Sequence, residues 1–248
     1  MSKDLEFLIK LVKEASLQIT KDMQVKAKDD KGDLVTNFDY KIEKYIIENI
    51  KKEYPNFSII SEEFNSNNKL TENCFTIDPI DGTINFVNGI PLWAIQIACI
   101  KNGKTVAAVI YMPRMNELYS ADENGAFLNG KPIHVNNLDI KHGVYNIEGP
   151  DKIVGQMKMS KISNNSRNFY CAAINFAWTA CGRLSGTIFI KDTFWDYVPG
   201  QFIVEKAGGV IFNIKNAHIG ANTIEFLNVL KDNAIKQENE KIKIVYEH

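Results

Sequence analysis

Apolar residues at Leu8, Leu11, Val12, Ala15 and Ile19 recur at helical spacing and predict an amphipathic helix over Leu5–Thr20. Val25–Asp33, rich in Lys and Asp, follows as a polar loop. A second stripe, Ile42, Tyr45, Ile46 and Ile50, predicts a helix opening near Asp39. The pattern then turns to strands. Phe57–Ile60 is a short apolar run, Asn65–Asn73 a polar loop, and Phe75-Thr76-Ile77 the end of a buried strand. Leu92–Ile100 and Thr105–Met112 flank Asn102-Gly103, a hairpin turn signal. Glu117–Ser120 and Ile133–Val135 read as strands around Gly125–Pro132, which reads as turn architecture. The style changes between Asp139 and Lys141. From there short strands (Val144–Ile147, Asn168–Tyr170, Val210–Ile214, Ile219–Asn222) alternate with helical patterns (Asp151–Lys161, Ala172–Cys181, Tyr197–Ala207, Thr223–Ala234). Gly208-Gly209 closes the third of those helices. The alternation predicts an α/β protein in two halves, 1–139 and 140–248.

Length and charge narrow the class. A chain of 248 residues can form one large domain or two intimate halves. A net charge of −1 gives no global field to recruit nucleic acid or an anionic membrane. Met1–Lys10 is charged and lacks an apolar signal core, and the longest apolar run, Ile90–Ile100, is broken by Pro91 and Gln96. The expectation is a cytoplasmic protein without membrane or nucleic-acid partners. The four cysteines form no CxxC pair, which argues against a zinc site. Cys74 and Cys99 fall in apolar strand patterns as buried thiols, and Cys171 near a helix start, where a thiol can be activated. His134, His142, His218 and His248 share no ligand spacing and read as surface or turn residues.

The chemistry concentrates in Asp78-Pro79-Ile80-Asp81-Gly82-Thr83-Ile84-Asn85-Phe86. Pro79 should stop the preceding strand. Gly82 permits a tight turn, and Thr83 suits the start of a short helix over Ile84–Asn88. Asp78 and Asp81 then sit beside the amides of a helix N-terminus. Carboxylates gather hard cations and helix N-termini attract anions, so the pair suits metal-assisted phosphate chemistry. A plain capped turn uses the same residue types. Taken singly, Asp39 can serve a helix dipole, Glu62-Glu63 can be solvated and Asp196 can be an N-cap.

The nine-residue string as a whole resembles the signature Asp-Pro-Ile/Leu-Asp-Gly-Thr-x-Asn-Phe of the inositol monophosphatase family. Four further stretches add to the resemblance. Asp33-Leu34-Val35-Thr36-Asn37-Phe38-Asp39 matches Asp-Leu-Val-Thr-x-x-Asp, with Lys28 at a basic position of the site mouth. Ser61-Glu62-Glu63 matches Gly-Glu-Glu with Ser for Gly. Ala172-Ala173-Ile174-Asn175 matches Ala-Ala-x-Asn, with Tyr170-Cys171 where Gly or Ser is usual. Trp195-Asp196 with Glu205-Lys206-Ala207-Gly208-Gly209 matches Trp-Asp followed by Glu-Ala-Gly-Gly. Gly125–Gly130 also resembles a family segment.

The resemblance implies a layered αβαβα sandwich of the sugar-phosphatase type and Mg2+-dependent, lithium-sensitive hydrolysis of a small phosphate monoester. It implies metal ligands at Glu62, Asp78, Asp81, Asp196 and the Ile80 carbonyl, for two to three Mg2+ ions. Catalytic roles fall to Asp39, Thr83 and Glu62, with Asp39 and Thr83 orienting the attacking water. Phosphate or substrate binding falls to Asp81, Gly82, Thr83, Ala172 and Asp196. A homodimer is a further expectation, since members are often dimers. Inositol-specific members carry a hydroxyl-binding Glu where this chain has Phe189, with Lys191 and Asp192 nearby as substitutes. The expected enzyme is therefore less selective. A fructose bisphosphatase, a 3′-phosphonucleotide phosphatase and a non-enzymatic regulator on the same fold are the alternatives.

Overall fold

The structure, a computed structural model, describes residues 1–28, 32–149, 165–191 and 193–232. The expected helix over Asp151–Lys161, the end of the last helix, Asp192 and His248 lie outside the described residues. Helix α1 (Lys3–Ser16) starts where the Ser2 hydroxyl accepts from the Leu5 amide, and it buries Leu5, Leu8, Leu11, Val12 and Ala15. Helix α2 (Asn37–Glu53) opens with a capping box of Thr36 and Asp39 and buries Ile42, Ile46 and Ile50. Before it, β1 (Val25–Ala27) and β2 (Leu34–Thr36) form an antiparallel ribbon, Val25 opposite Thr36. The polar stretch from Val25 thus begins as a strand, because pairing satisfies its backbone although its side chains stay exposed.

The larger sheet has seven strands in the order β3-β4-β5-β6-β7-β8-β9. They are β3 (Ser58–Ser61), β4 (Cys74–Asp81), β5 (Ala94–Lys101), β6 (Lys104–Met112), β7 (Glu117–Asp122), β8 (Gly125–Leu128) and β9 (Lys131–Pro132). Asn102 and Gly103 both have positive φ (52° and 73°), the turn that the dipeptide predicted. Gly125–Leu128 is a strand and not turn architecture; the turn is Asn129-Gly130, and Ile133–Val135 lies beyond the last strand. The five-stranded sheet has the order β11-β10-β12-β14-β13. Its strands are β10 (Tyr145–Glu148), β11 (Ser166–Arg167), β12 (Gly186–Ile190), β13 (Val210–Ile214) and β14 (Ala217–Ala221). Strand β12 was hidden by its place between helix α4 (Ala172–Ala180) and helix α5 (Phe194–Lys206).

Pro79 lies inside β4 and does not end it. The register with β5 shifts between Asp78 and Asp81, and pairing with β3 stops at Ile77. At that bulge the missing N–H costs no ladder bond.

Three apolar clusters define five layers. Helices α1 and α2 pack on one face of the large sheet through Leu8, Ile42, Ile46, Phe75 and Ile97. Helices α4 and α5 fill the space behind it with Phe176, Trp195 and Phe202 against Ala98, Ala108 and Ile110. The small sheet covers these helices, and its far face packs Ile188 and Ile219 on Phe226 and Leu230. Those two belong to a helix over residues 224–232. The order is αβαβα, as expected. His218 departs from the expectation of a surface histidine. It is buried in β14, its ring stacked 3.4 Å from Tyr197 and its Nδ1 2.7 Å from Asn213 Oδ1.

Candidate active site

Strand direction gathers the acids. β3 and β4 are parallel with Ser61 opposite Ile77, so Glu62 and Asp78 leave neighbouring strands at the same level. β10 and β12 are also parallel, which brings Glu148 and Lys191 to the ends of that pair. The start of α4 reaches the same acids through the Ala173 amide on Asp81, and Asp196 stands in the first turn of α5. Carboxyl ends of parallel strands and amino ends of helices therefore open on one cavity of about 190 Å3. Glu62, Asp78, Ile80, Asp81, Gly82, Thr83 and Asp196 all line it, together with Lys28, Asp33, Glu148, Tyr170 and Lys191.

Asp78, Asp81 and Asp196 each present a carboxylate oxygen, and these oxygens lie within 4.8 Å of one another. All three side chains are buried. Burial first, then the neighbouring acids Glu62, Asp81 and Asp196, pushes the Asp78 carboxyl well above its ordinary range. Burial and Asp196 do the same to Asp81. Asp81 Oδ2 accepts from the Ala173 amide at 2.5 Å, and Asp78 Oδ1 accepts from the Ile80 amide at 3.1 Å. Asp196 Oδ2 accepts from the Thr193 hydroxyl and lies 3.6 Å from Lys191 Nζ. Thr83 Oγ1 donates to the Ile80 carbonyl at 2.9 Å.

Lys28 Nζ donates to Glu62 Oε1 at 2.8 Å and also to Glu63 Oε1. These acids raise its pKa against the opposing effect of burial. Burial, then Glu62, pushes Glu63 up to about 7. The turn itself is held from behind: Glu43 Oε2 and Oε1 accept from the amides of Glu63 and Phe64, each at 2.8 Å. Glu43 sits four residues after Asp39 on α2, and both are fully buried. Neither Asp39 nor Ala172 is among the cavity-lining residues. Asp39 Oδ2 accepts from the amide (2.7 Å) and hydroxyl (2.5 Å) of Thr36, while its buried Oδ1 has no partner among the described residues. Burial pushes its carboxyl up to about 6. The amide of the residue after Ala172, Ala173, reaches Asp81.

Gly82 caps the short helix α3 (Thr83–Val87) at φ 85°. A Cβ there would stand 2.9 Å from the Leu92 carbonyl oxygen and 3.2 Å from Cys171 Cβ, so the position requires glycine. Cys171 itself is not an activated thiol. It is buried, and burial followed by Asp81 raises its pKa well above the usual value.

Phe189 is buried in β12, directly opposite Glu148 of β10. Glu148 and Glu43 were not singled out in the sequence. An acid among Ile42, Ile46 and Ile50 on an otherwise apolar helix face was the available signal for Glu43. Glu148 ends a short strand followed by Gly149, with nothing to mark it as different from a solvated acid.

The donor set is all oxygen, as a hard divalent cation requires. Buried, mutually repelling carboxylates fit cation occupancy.

Comparison with known proteins supplies an independent reading. A family model described as the inositol monophosphatase family matches residues 1–243. A Thermotoga maritima protein named fructose-1,6-bisphosphatase/inositol-1-monophosphatase is 33% identical over 220 residues, 85% of this chain and 84% of that protein. The Nus factor SuhB of Escherichia coli K12 is 34% identical over 200 residues, 75% of this chain and 74% of that protein. The solved structure of a Thermotoga maritima IMPase superposes with a TM-score of 0.83 at 28% identity, covering 98% of this chain and 100% of that one.

Proposed function

Because this chain belongs to the inositol monophosphatase family, we propose that it is a Mg2+-dependent phosphatase. Its substrate would be a small phosphate monoester, an inositol monophosphate or a related sugar or polyol phosphate. The observation that carries the reading is the convergence of buried Asp78, Asp81 and Asp196 within 4.8 Å in a cavity that also holds Glu62 and Thr83. Such a cluster is unfavourable without cations and has no structural use that a hydrogen-bonded amide would not serve as well.

Glu62, Asp78, Asp81, Asp196 and the Ile80 carbonyl would hold the ions. Bound there, Mg2+ would neutralise a dianionic phosphoryl group and lower the pKa of an attacking water. Gly82 and Thr83 line the place where phosphate oxygens would rest, and their amides are suited to bind them. Thr83 would release the Ile80 carbonyl and turn its hydroxyl to the water. Asp39, fixed by the Thr36 amide and hydroxyl, would help orient the same water through its Oδ1, unpartnered among the described residues. Lys28 pairs with Glu62 and Glu63 and would turn toward the phosphate when a cation takes over Glu62. Inhibition by Li+ and poor support of turnover by Ca2+ belong to the same reading.

A relative named as a Nus factor raises a regulatory reading. The complete acid set favours chemistry, since a binding scaffold has no need for three buried carboxylates in one cavity. Rates across inositol 1-phosphate, glycerol phosphate, fructose 1,6-bisphosphate and adenosine 3′,5′-bisphosphate test the substrate class. With Phe189 unable to accept a hydroxyl, kcat/KM for inositol phosphate should exceed the others by less than roughly a hundredfold, about 2.7 kcal/mol. A larger preference would contradict the broad-substrate reading.

A further inference from the structure

The cavity has a wall that the metal cluster does not use. Glu148 lines it from the end of β10, on the five-stranded sheet, whereas Glu62 and Asp78 come from the seven-stranded sheet. Its carboxylate lies outside the Asp78–Asp81–Asp196 group. It is anchored by neutral donors: Oε2 accepts from the Cys171 amide at 3.1 Å and from Asn175 Nδ2 at 2.5 Å. Both donors sit at the start of α4, so the side chain is fixed in direction. Every hydrogen bond that Glu148 makes among the described residues falls on Oε2, which leaves Oε1 as its acceptor toward the cavity. The adjoining strand offers no competing acceptor, because the register partner of Glu148 is the buried, apolar Phe189. A cavity of about 190 Å3 leaves room for a phosphoryl group and the first atoms of its alcohol.

From this placement we propose that Glu148 determines leaving-group specificity: its Oε1 accepts a hydroxyl of the alcohol from which the phosphoryl group departs. The inference rests on the phosphatase reading and adds to it the residue that recognises the departing alcohol. A fixed carboxylate oxygen in a semi-enclosed cavity gains a charge-assisted hydrogen bond from such a hydroxyl. It is left desolvated and unpaired by an ester lacking one, and sites built to bond a hydroxyl discriminate strongly for that reason.

The test compares two substrates at saturating Mg2+, inositol 1-phosphate and phenyl phosphate, which has no hydroxyl. Glu148→Gln keeps an acceptor for Cys171 and Asn175 and turns an NH2 group toward the cavity. Glu148→Ala removes the acceptor without supplying a donor. The expected result is a loss of at least about twentyfold in kcat/KM for inositol phosphate in the Ala variant, with a smaller loss in the Gln variant. Phenyl phosphate should stay within about twofold in the Gln variant, and the half-saturating Mg2+ concentration should not move. Parallel losses on both substrates in the Gln variant, or a shifted Mg2+ requirement, would overturn the proposal in favour of a metal or folding role. An unchanged ratio in both variants would overturn it as well. A wild-type protein that cleaves other phosphate monoesters but not inositol 1-phosphate overturns this inference alone; one that releases phosphate from no monoester at saturating Mg2+ overturns the phosphatase reading, and this inference with it.

Discussion

The amide of Ala173 donates a 2.5 Å hydrogen bond to Asp81 Oδ2, joining residues ninety-two positions apart. A carboxylate on the seven-stranded sheet is thereby oriented by a helix that packs beneath the five-stranded one. The acid cluster exists only when both sheets are assembled around α4 and α5, which places its chemistry at the level of tertiary structure.

The first consequence concerns the cluster's charge. Asp78→Asn, Asp81→Asn and Asp196→Asn should each lower kcat on the order of a hundredfold or more. In EDTA the Asp81→Asn protein should melt higher than wild type, because burial and Asp196 disfavour its ionised form. Each kcal/mol relieved corresponds to about 2–4 °C at this size. Added Mg2+ should raise the melting temperature of wild type more than that of the variant. A variant that turns over at the wild-type rate, or loses stability in EDTA while gaining as much from Mg2+, would remove that residue from the ligand set.

Glu43 acts through other residues. By accepting from the amides of Glu63 and Phe64 it fixes the turn that presents Glu62. Glu43→Gln places a donor against one of those amides. The half-saturating Mg2+ concentration should rise about three- to tenfold, with kcat at saturation changed less than twofold. A titration of rate against Mg2+ decides it. An unmoved midpoint would show that the turn holds itself.

The parts legible in the sequence were those with local causes. Periodicity marked α1 and α2, and Asn102-Gly103 marked its hairpin. The nine-residue string placed Asp78 and Asp81 beside Gly82 and Thr83. What stayed hidden depends on neighbours distant in the chain. Pro79 could remain within β4 because β3 stops pairing at Ile77 and the register with β5 shifts there. His218 is buried because β14 lies between β12 and β13. Glu148 became a cavity residue through its parallel pairing with β12. None of these partnerships leaves a mark in a window of ten residues.

Asp122 ties the chain's start to the large sheet. Its carboxylate accepts from the Ser2 amide at 2.6 Å and from the Asn124 amide and side chain at 2.9 and 3.1 Å. Burial alone would raise its pKa, but these donors hold it below the usual value. A group whose folded pKa is depressed contributes stability above its unfolded value near 4, lost as pH falls through the folded one. Asp122→Ala should cost about 2 kcal/mol at pH 7. Urea unfolding of both proteins at pH values from 7 toward 3.5 should show the gap narrowing at the acid end. A gap that is constant or widens toward acid would contradict the assignment.

The central claim is that the converging carboxylates of Asp78, Asp81 and Asp196, with Glu62, make a cation-dependent phosphatase. Phosphate release from inositol 1-phosphate, measured before EDTA, after EDTA and after restoring excess Mg2+, tests it most directly. The account predicts turnover that EDTA abolishes and Mg2+ restores, with Asp78→Asn unable to recover. Turnover that persists in EDTA, or no phosphate release from any phosphate monoester at saturating Mg2+, would contradict it.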